Sequence, residues 1–218
     1  MNAHAKRIVA DLLAKNPRSH AEELGIDLGS GRPRALARWL FACVVSAGGG
    51  VRASSAAAAA RALNAEGLCD PAKLARAPLP RIGRVLRANG CARFDAQVAR
   101  SLRGSARMLR DDYGGDLRAL REEAGRDAAR ERDLLVRFPG IGNRGADMFF
   151  REVQLAWHEH RPFFDARAIE GARRLGLDAR PAALARAVPA AEAHRLAAAL
   201  VRTASIPPLR VRARARAM

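Results

Sequence analysis

Apolar positions recur at helical spacing along most of this chain. Near its start, Ile8, Val9, Leu12 and Leu13 predict a helix over 4–15, closed by the breaker pair Asn16-Pro17. Asp27 to Pro33 is a Gly-rich connection, after which Leu36, Trp39, Leu40, Cys43 and Val44 predict a second helix with one buried face. Gly48-Gly49-Gly50 ends it, and Ser54 or Ser55 is placed to cap an Ala-rich helix running to Leu63. Further helices are predicted over 71–76, 80–89, 93–111 and 116–137, joined by short Gly-, Pro- or Asn-containing links. No internal repeat is visible. From Pro207 onward Arg alternates with small apolar residues, which predicts a mobile basic tail over 207–218.

Composition agrees with the pattern. Apolar residues make up 49% of 218, with aromatics only 5%, so the chain can bury a core built largely from Ala and Leu. β-branched residues are sparse, and the predicted fold class is all-α.

Charge changes the picture more. Lys and Arg outnumber Asp and Glu by 39 to 22, for a net charge of +17. Only Lys6, Lys15 and Lys73 are lysine. A GC-rich coding bias explains Arg in place of Lys, but not the surplus itself. The surplus points to a polyanionic partner, with nucleic acid ahead of an acidic membrane surface, since no segment pairs a broad apolar face with a basic one. Cys43, Cys69 and Cys91 are far apart and without clustered His, which disfavours structural zinc or an iron-sulfur cluster and suits a reducing compartment. The first fifteen residues do not read as a signal sequence, and no apolar run is long enough to span a bilayer. The expected location is cytoplasmic and nucleoid-associated, with no membrane partner and a monomeric state.

The chemistry concentrates between 134 and 177. A helix ends at Phe138, Pro139-Gly140-Ile141-Gly142 forces a tight turn, and a second helix begins near Asn143, a favourable N-cap. Ala146, Phe149, Phe150, Val153 and Trp157 form its buried stripe. Gly140 and Gly142 are expected to permit positive φ and keep the turn free of side-chain bulk. Backbone N–H groups at the turn and the first helical residues, with the helix dipole behind them, can then approach a phosphate. Such contacts give affinity without reading bases, and they assign Pro139, Gly140, Ile141, Gly142, Asn143, Arg144 and Gly145 to DNA binding. An ordinary helix–turn–helix connection in a bundle is the alternative.

With that hairpin, and with Asp165 in Arg161-Pro162-Phe163-Phe164-Asp165-Ala166-Arg167, the sequence resembles the helix-hairpin-helix superfamily of DNA glycosylases. A weaker likeness to its endonuclease III branch covers Phe41 to Ala47 and the segment from Gly90 to Arg107. The resemblance implies a two-lobed glycosylase-like fold: a central bundle over 29–157, and a second lobe made of 1–28 with 158–206. It also implies double-stranded DNA as partner and Asp165 as the catalytic carboxylate. The family's monofunctional members leave a positive sugar that such a carboxylate stabilises while it orients water. Asp165 equally reads as the N-cap of a helix from Ala166 to about Leu175, closed by Gly176.

Two departures from the family pattern matter. Bifunctional members carry a lysine nucleophile two residues after the second hairpin glycine, where this chain has Arg144. A guanidinium stays protonated and cannot form the Schiff base, so lyase activity is expected to be weak or absent. The cysteine-rich iron-sulfur loop has no counterpart, so no cofactor is expected; the resemblance allows a monovalent cation at the hairpin. Ser46-Ala47-Gly48 stands where the family has a Ser-Ala-Gln wedge.

Six of the ten aromatic residues fall between 138 and 164. Phe163 and Phe164 are the candidates to line a base pocket, whereas Phe149, Phe150 and Trp157 read as core. Asp147 is expected to pair with Arg151 one turn on, and His158-Glu159-His160 to form a solvated helix end. The function expected is hydrolysis of the N-glycosidic bond of a damaged or mismatched base flipped from duplex DNA. The alternatives are a non-catalytic hairpin DNA-binding protein and, more remotely, a structural helical protein.

Overall fold

A computed structural model describes residues 3–48 and 50–205, so the predicted basic tail at 207–218 lies outside the described residues. Among those residues the protein is helical and has no strand. The helices are α1 (Ala3–Lys15), α2 (His20–Glu23), α3 (Pro33–Ala47), α4 (Ala53–Ala65), α5 (Pro71–Arg76), α6 (Leu79–Ala88), α7 (Asp95–Tyr113), α8 (Leu117–Glu123), α9 (Ala128–Leu135), α10 (Asn143–Val153), α11 (Ala166–Arg174), α12 (Pro181–Ala185) and α13 (Ala193–Ala204).

Two apolar clusters organise them. The larger runs from Ala21 to Trp157 around α3, which is buried on nearly every side from Leu36 to Val45. The smaller joins Val9 of α1 to Phe164, Ala168, Ala172, Leu177, Leu184, Leu196, Ala197, Leu200 and Val201. Ala21, Ile26 and Leu28 pack in the larger cluster, although by sequence position they fall in the segment assigned to the second lobe.

Local chemistry sets most helix ends. Asp70, Asp116, Asp127 and Asp165 each accept a hydrogen bond from a first-turn N–H, a cap that stabilises a helix by about 1 kcal/mol. Ser19 and Glu22 form a capping box on α2. Three expectations need correction. The stretch predicted as one helix over 116–137 is two, α8 and α9, because Gly125 and Arg126 both take positive φ (67° and 57°) and turn the chain. Neither Ser54 nor Ser55 caps α4, which starts behind Arg52 with no side-chain cap. And α10 stops at Val153, so Trp157 reaches the core from the turn that follows.

A buried carboxylate ties α10 to α2 within the larger cluster. Glu152 of α10, fully sealed from solvent, accepts from the His20 N–H (3.0 Å) and the Ala21 N–H (3.3 Å) at the start of α2. Burial pushes its carboxyl up, but contacts with His20, Ser19 and Arg151 outweigh that and hold it below the usual carboxylate range.

α11 and α13 cross at closest range through Gly171, where an added Cβ would lie 2.0 Å from the Leu200 carbonyl oxygen. No side-chain motion relieves contact with backbone, so Gly171→Ala is expected to destabilise the protein by more than about 2 kcal/mol in urea denaturation. A change within about 0.5 kcal/mol would show that the two helices do not pack this way.

Candidate nucleic-acid interface and active site

The hairpin forms because its apolar residues face in and its polar ones face out. Phe138 and Ile141 are buried, with Phe138 stacked on Tyr113 at 5.8 Å, while Pro139, Gly140, Gly142, Asn143 and Arg144 are exposed. α7 is the seat for the turn. Ser105 donates its hydroxyl to the Pro139 carbonyl (2.6 Å), and a Cβ on Gly104 would meet the Pro139 ring at 3.0 Å. Arg132 of α9 ties the two arms, donating to Asp147 Oδ1 (2.7 Å) and to the Asn143 carbonyl.

The two turn glycines differ in their reasons. Gly140 has φ +84°, and a Cβ there would meet Ser101 at 2.8 Å and Val44 at 3.1 Å. Gly142 is extended (φ −90°) rather than left-handed, and nothing lies within 4 Å of where its Cβ would be. It is also the N-cap of α10, the position expected for Asn143, and supplies no side-chain hydrogen bond. The first N–H groups of a helix have no intrahelical partner, so those of the exposed Asn143 and Arg144 are available beside the open space at Gly142. Gly145 is buried against Ile141 and Ala47, a packing role.

Beside the hairpin lies a cleft of about 770 Å³, within the range of small-ligand sites. α10 contributes Arg144, Asp147, Met148 and Arg151; α4 contributes a low wall of Ala53, Ser54, Ala56 and Ala57. Asp165 lines the same cleft. It caps α11, accepting from the Ala168 N–H at Oδ1 (2.9 Å), while its Oδ2 accepts from Arg151 Nε (2.8 Å) and Nη2. Asp165 and Arg151 are 6% and 3% exposed, so this ion pair sits at the cleft floor, nearly sealed from water. The expected Asp147–Arg151 pair is therefore not formed: Asp147 turns to Arg132 and Arg151 to Asp165.

The aromatic candidates fall elsewhere. Phe164 is buried in the smaller cluster and Phe163 packs on the larger one near Phe150. Neither lines the cleft, because consecutive residues of the extended segment before α11 face opposite cores. Trp39 does line it, but is 2% exposed with its indole N–H donated to the Phe149 carbonyl (3.2 Å).

His158-Glu159-His160 is not a solvated helix end but a short 3-10 turn pinned to the hairpin's first arm. His160 is buried, stacks on Phe150 at 4.0 Å and bonds Glu131 of α9. Burial raises the Glu131 carboxyl despite that partner. Burial is the largest single influence on Glu159 too, but bonding to Arg121 (2.7 Å), a backbone N–H and Glu131 together outweigh it and bring its carboxyl down to about 2. No group of three or more His, Cys, Asp or Glu among the described residues is arranged to hold a metal ion. The three cysteines are free and buried, with Cys69 pushed up to about 11 by burial. No helix among the described residues is long and apolar enough to cross a membrane.

A hairpin is thus seated on a helical bundle with a carboxylate-lined cleft alongside. Among solved structures, that fold is found in endonuclease III bound to DNA. One is a trapped covalent intermediate described as an estranged-adenine complex (TM-score 0.54); another is a non-covalent complex (TM-score 0.55). Each is 21% identical to this protein, over 92% of this chain and 85% of the other. The chain thus has the endonuclease III fold. No protein-family model and no curated protein matches it in sequence.

The two glycines can be separated by experiment. Gly140→Ala, strained in φ and crowded by Ser101, is expected to cost about 1–3 kcal/mol. Gly142→Ala should leave thermal stability within about 0.5 kcal/mol. Equal losses in both variants, measured by calorimetry, would contradict the open space in front of Gly142.

Proposed function

We propose that this protein is a monofunctional DNA glycosylase that hydrolyses the N-glycosidic bond of a damaged or mismatched base extruded from double-stranded DNA. The observation that carries the proposal is that Asp165 lines the very cleft that the hairpin helix borders. The turn at Pro139 to Gly145 grips a phosphate through the open N–H groups of α10, and the extruded nucleotide enters the cleft. As the base leaves, positive charge builds on the sugar, and the Asp165 carboxylate stabilises it and orients the attacking water. A carboxylate has about four acceptor positions, and Arg151 and the Ala168 N–H occupy three of them, which leaves roughly one for that water. No cofactor takes part in this scheme, and the protein acts as a monomer.

The same ion pair favours a second function. Arg151 sets a positive charge against the carboxylate, which weakens its field at a nearby sugar cation. A non-catalytic hairpin DNA-binding protein would tolerate that pairing without loss.

The two are resolved by a lesion panel. The purified protein is expected to leave alkali-labile abasic sites in duplexes bearing its cognate lesion, and Asp165→Asn to slow this by about 10²-fold or more while retaining DNA binding and a cooperative melt. Binding without excision across the panel would favour the non-catalytic function, and an unchanged rate in Asp165→Asn would remove the carboxylate from the chemistry.

None of the three lysines lines the cleft, whereas Arg144 does. Incubation with abasic duplex and sodium borohydride is accordingly expected to give no covalent protein–DNA adduct. A trapped adduct would show an amine nucleophile and overturn the monofunctional assignment.

A further inference from the structure

The cleft carries more positive charge than its carboxylates offset. Six arginines line it (Arg18, Arg61, Arg144, Arg151, Arg167 and Arg202) against three acids, and each acid already has a partner. Glu23 pairs with Arg202 at 2.9 Å, Asp147 with Arg132 and Asp165 with Arg151. Among the described residues no ion pair joins Arg18 or Arg61 to an acid. Both are exposed, and both come from elements other than the hairpin.

Their settings suit holding an anion. Arg18 projects from a pinned loop: its carbonyl accepts from Arg202 Nη1 (3.0 Å), and the next two residues are fixed by the Glu22 and Glu152 carboxylates. Arg61 is the one long side chain on an α4 wall otherwise made of Ala and Ser, so its guanidinium stands beside open space. By contrast, no Phe, Tyr or Trp ring among the described residues lies open to the cleft. Among the described residues Trp39 is its only Phe, Tyr or Trp and is already buried and hydrogen-bonded, and the partly exposed His20 ring is tied to Glu152 at 3.3 Å.

We propose that Arg18 and Arg61 form a phosphate clamp in the cleft, so that an extruded nucleotide is held by its flanking phosphates and not by stacking of its base. This rests on the assignment of the cleft to an extruded nucleotide. A guanidinium forks onto phosphate oxygens in bidentate fashion, and each phosphate so neutralised contributes about 0.9 to the slope of log affinity against log salt.

The test is fluorescence anisotropy with three duplexes: intact, carrying an internal tetrahydrofuran abasic analogue, and carrying a single-adenine bulge. Wild type is expected to bind the abasic and bulged duplexes equally within about threefold, and both at least about tenfold more tightly than the intact one. Arg18→Gln and Arg61→Gln should each erase most of that preference, lower the salt slope by about 1 for the two extrudable duplexes, and leave the intact duplex unaffected. An equal loss on all three duplexes, no loss, or a tenfold preference for the bulged adenine over the abasic analogue would each overturn the clamp. Gly142→Ala separates this from the underlying assignment, since it should weaken all three duplexes alike. If wild type binds no duplex at all, the DNA assignment fails and the clamp falls with it.

Discussion

The buried pairing of Arg151 with Asp165 ties the hairpin's second helix to the start of α11. Arg151 belongs to the hairpin's second helix and Asp165 is the cap of α11, so one contact joins the element that faces outward to the helix that opens the smaller cluster. Breaking one partner of such a pair strands a charge out of water, commonly at about 3–5 kcal/mol. Next to it, Glu152 ties the same helix to the start of α2. Successive residues of α10 thus anchor two different segments of chain.

That constraint has a chemical cost. A carboxylate free to turn toward a sugar would be a stronger base and a stronger electrostatic partner than one held on both oxygens. Preorganisation works in the other direction: a fixed carboxylate loses no entropy in the transition state and needs no reorganisation as charge develops. The balance depends on how much of the Asp165 field Arg151 cancels at the position of the anomeric carbon, which is why the ion pair bears on catalytic and non-catalytic function alike.

Much of this was legible from sequence wherever the cause is local. Helix periodicity, the Pro139–Gly142 turn and the capping position of Asp165 follow from residues within a few positions of one another, and the structure shows each. What escaped was decided across longer distances. Asp147 and Arg151 have ideal i,i+4 spacing, yet each finds a better-placed partner elsewhere: Arg132 on the facing arm, Asp165 across the floor. Phe163 and Phe164 sit next to the carboxylate in sequence, but an extended segment sends neighbours to opposite sides, and both sides here are cores. The break between α8 and α9 turns on Arg126 at positive φ, which its side chain does not advertise. His160 looked solvated because its partner, Glu131, lies 29 residues away.

The arginine surplus gains meaning through the same distinction. A net charge of +17 alone describes only attraction to polyanions, spread over the surface and screened within about 10 Å at ordinary salt. Many arginines are spent on local pairs, such as Arg118 with Asp116, Arg126 with Glu122 and Arg180 with Asp178, and exposed pairs of this kind contribute little to stability. In the cleft the acids are taken by other partners, so Arg18 and Arg61 keep their charge without an acidic partner beside a concave surface. On the proposed function, charge that is diffuse outside and unbalanced within would bring a strand to the protein from any direction but hold it in one place.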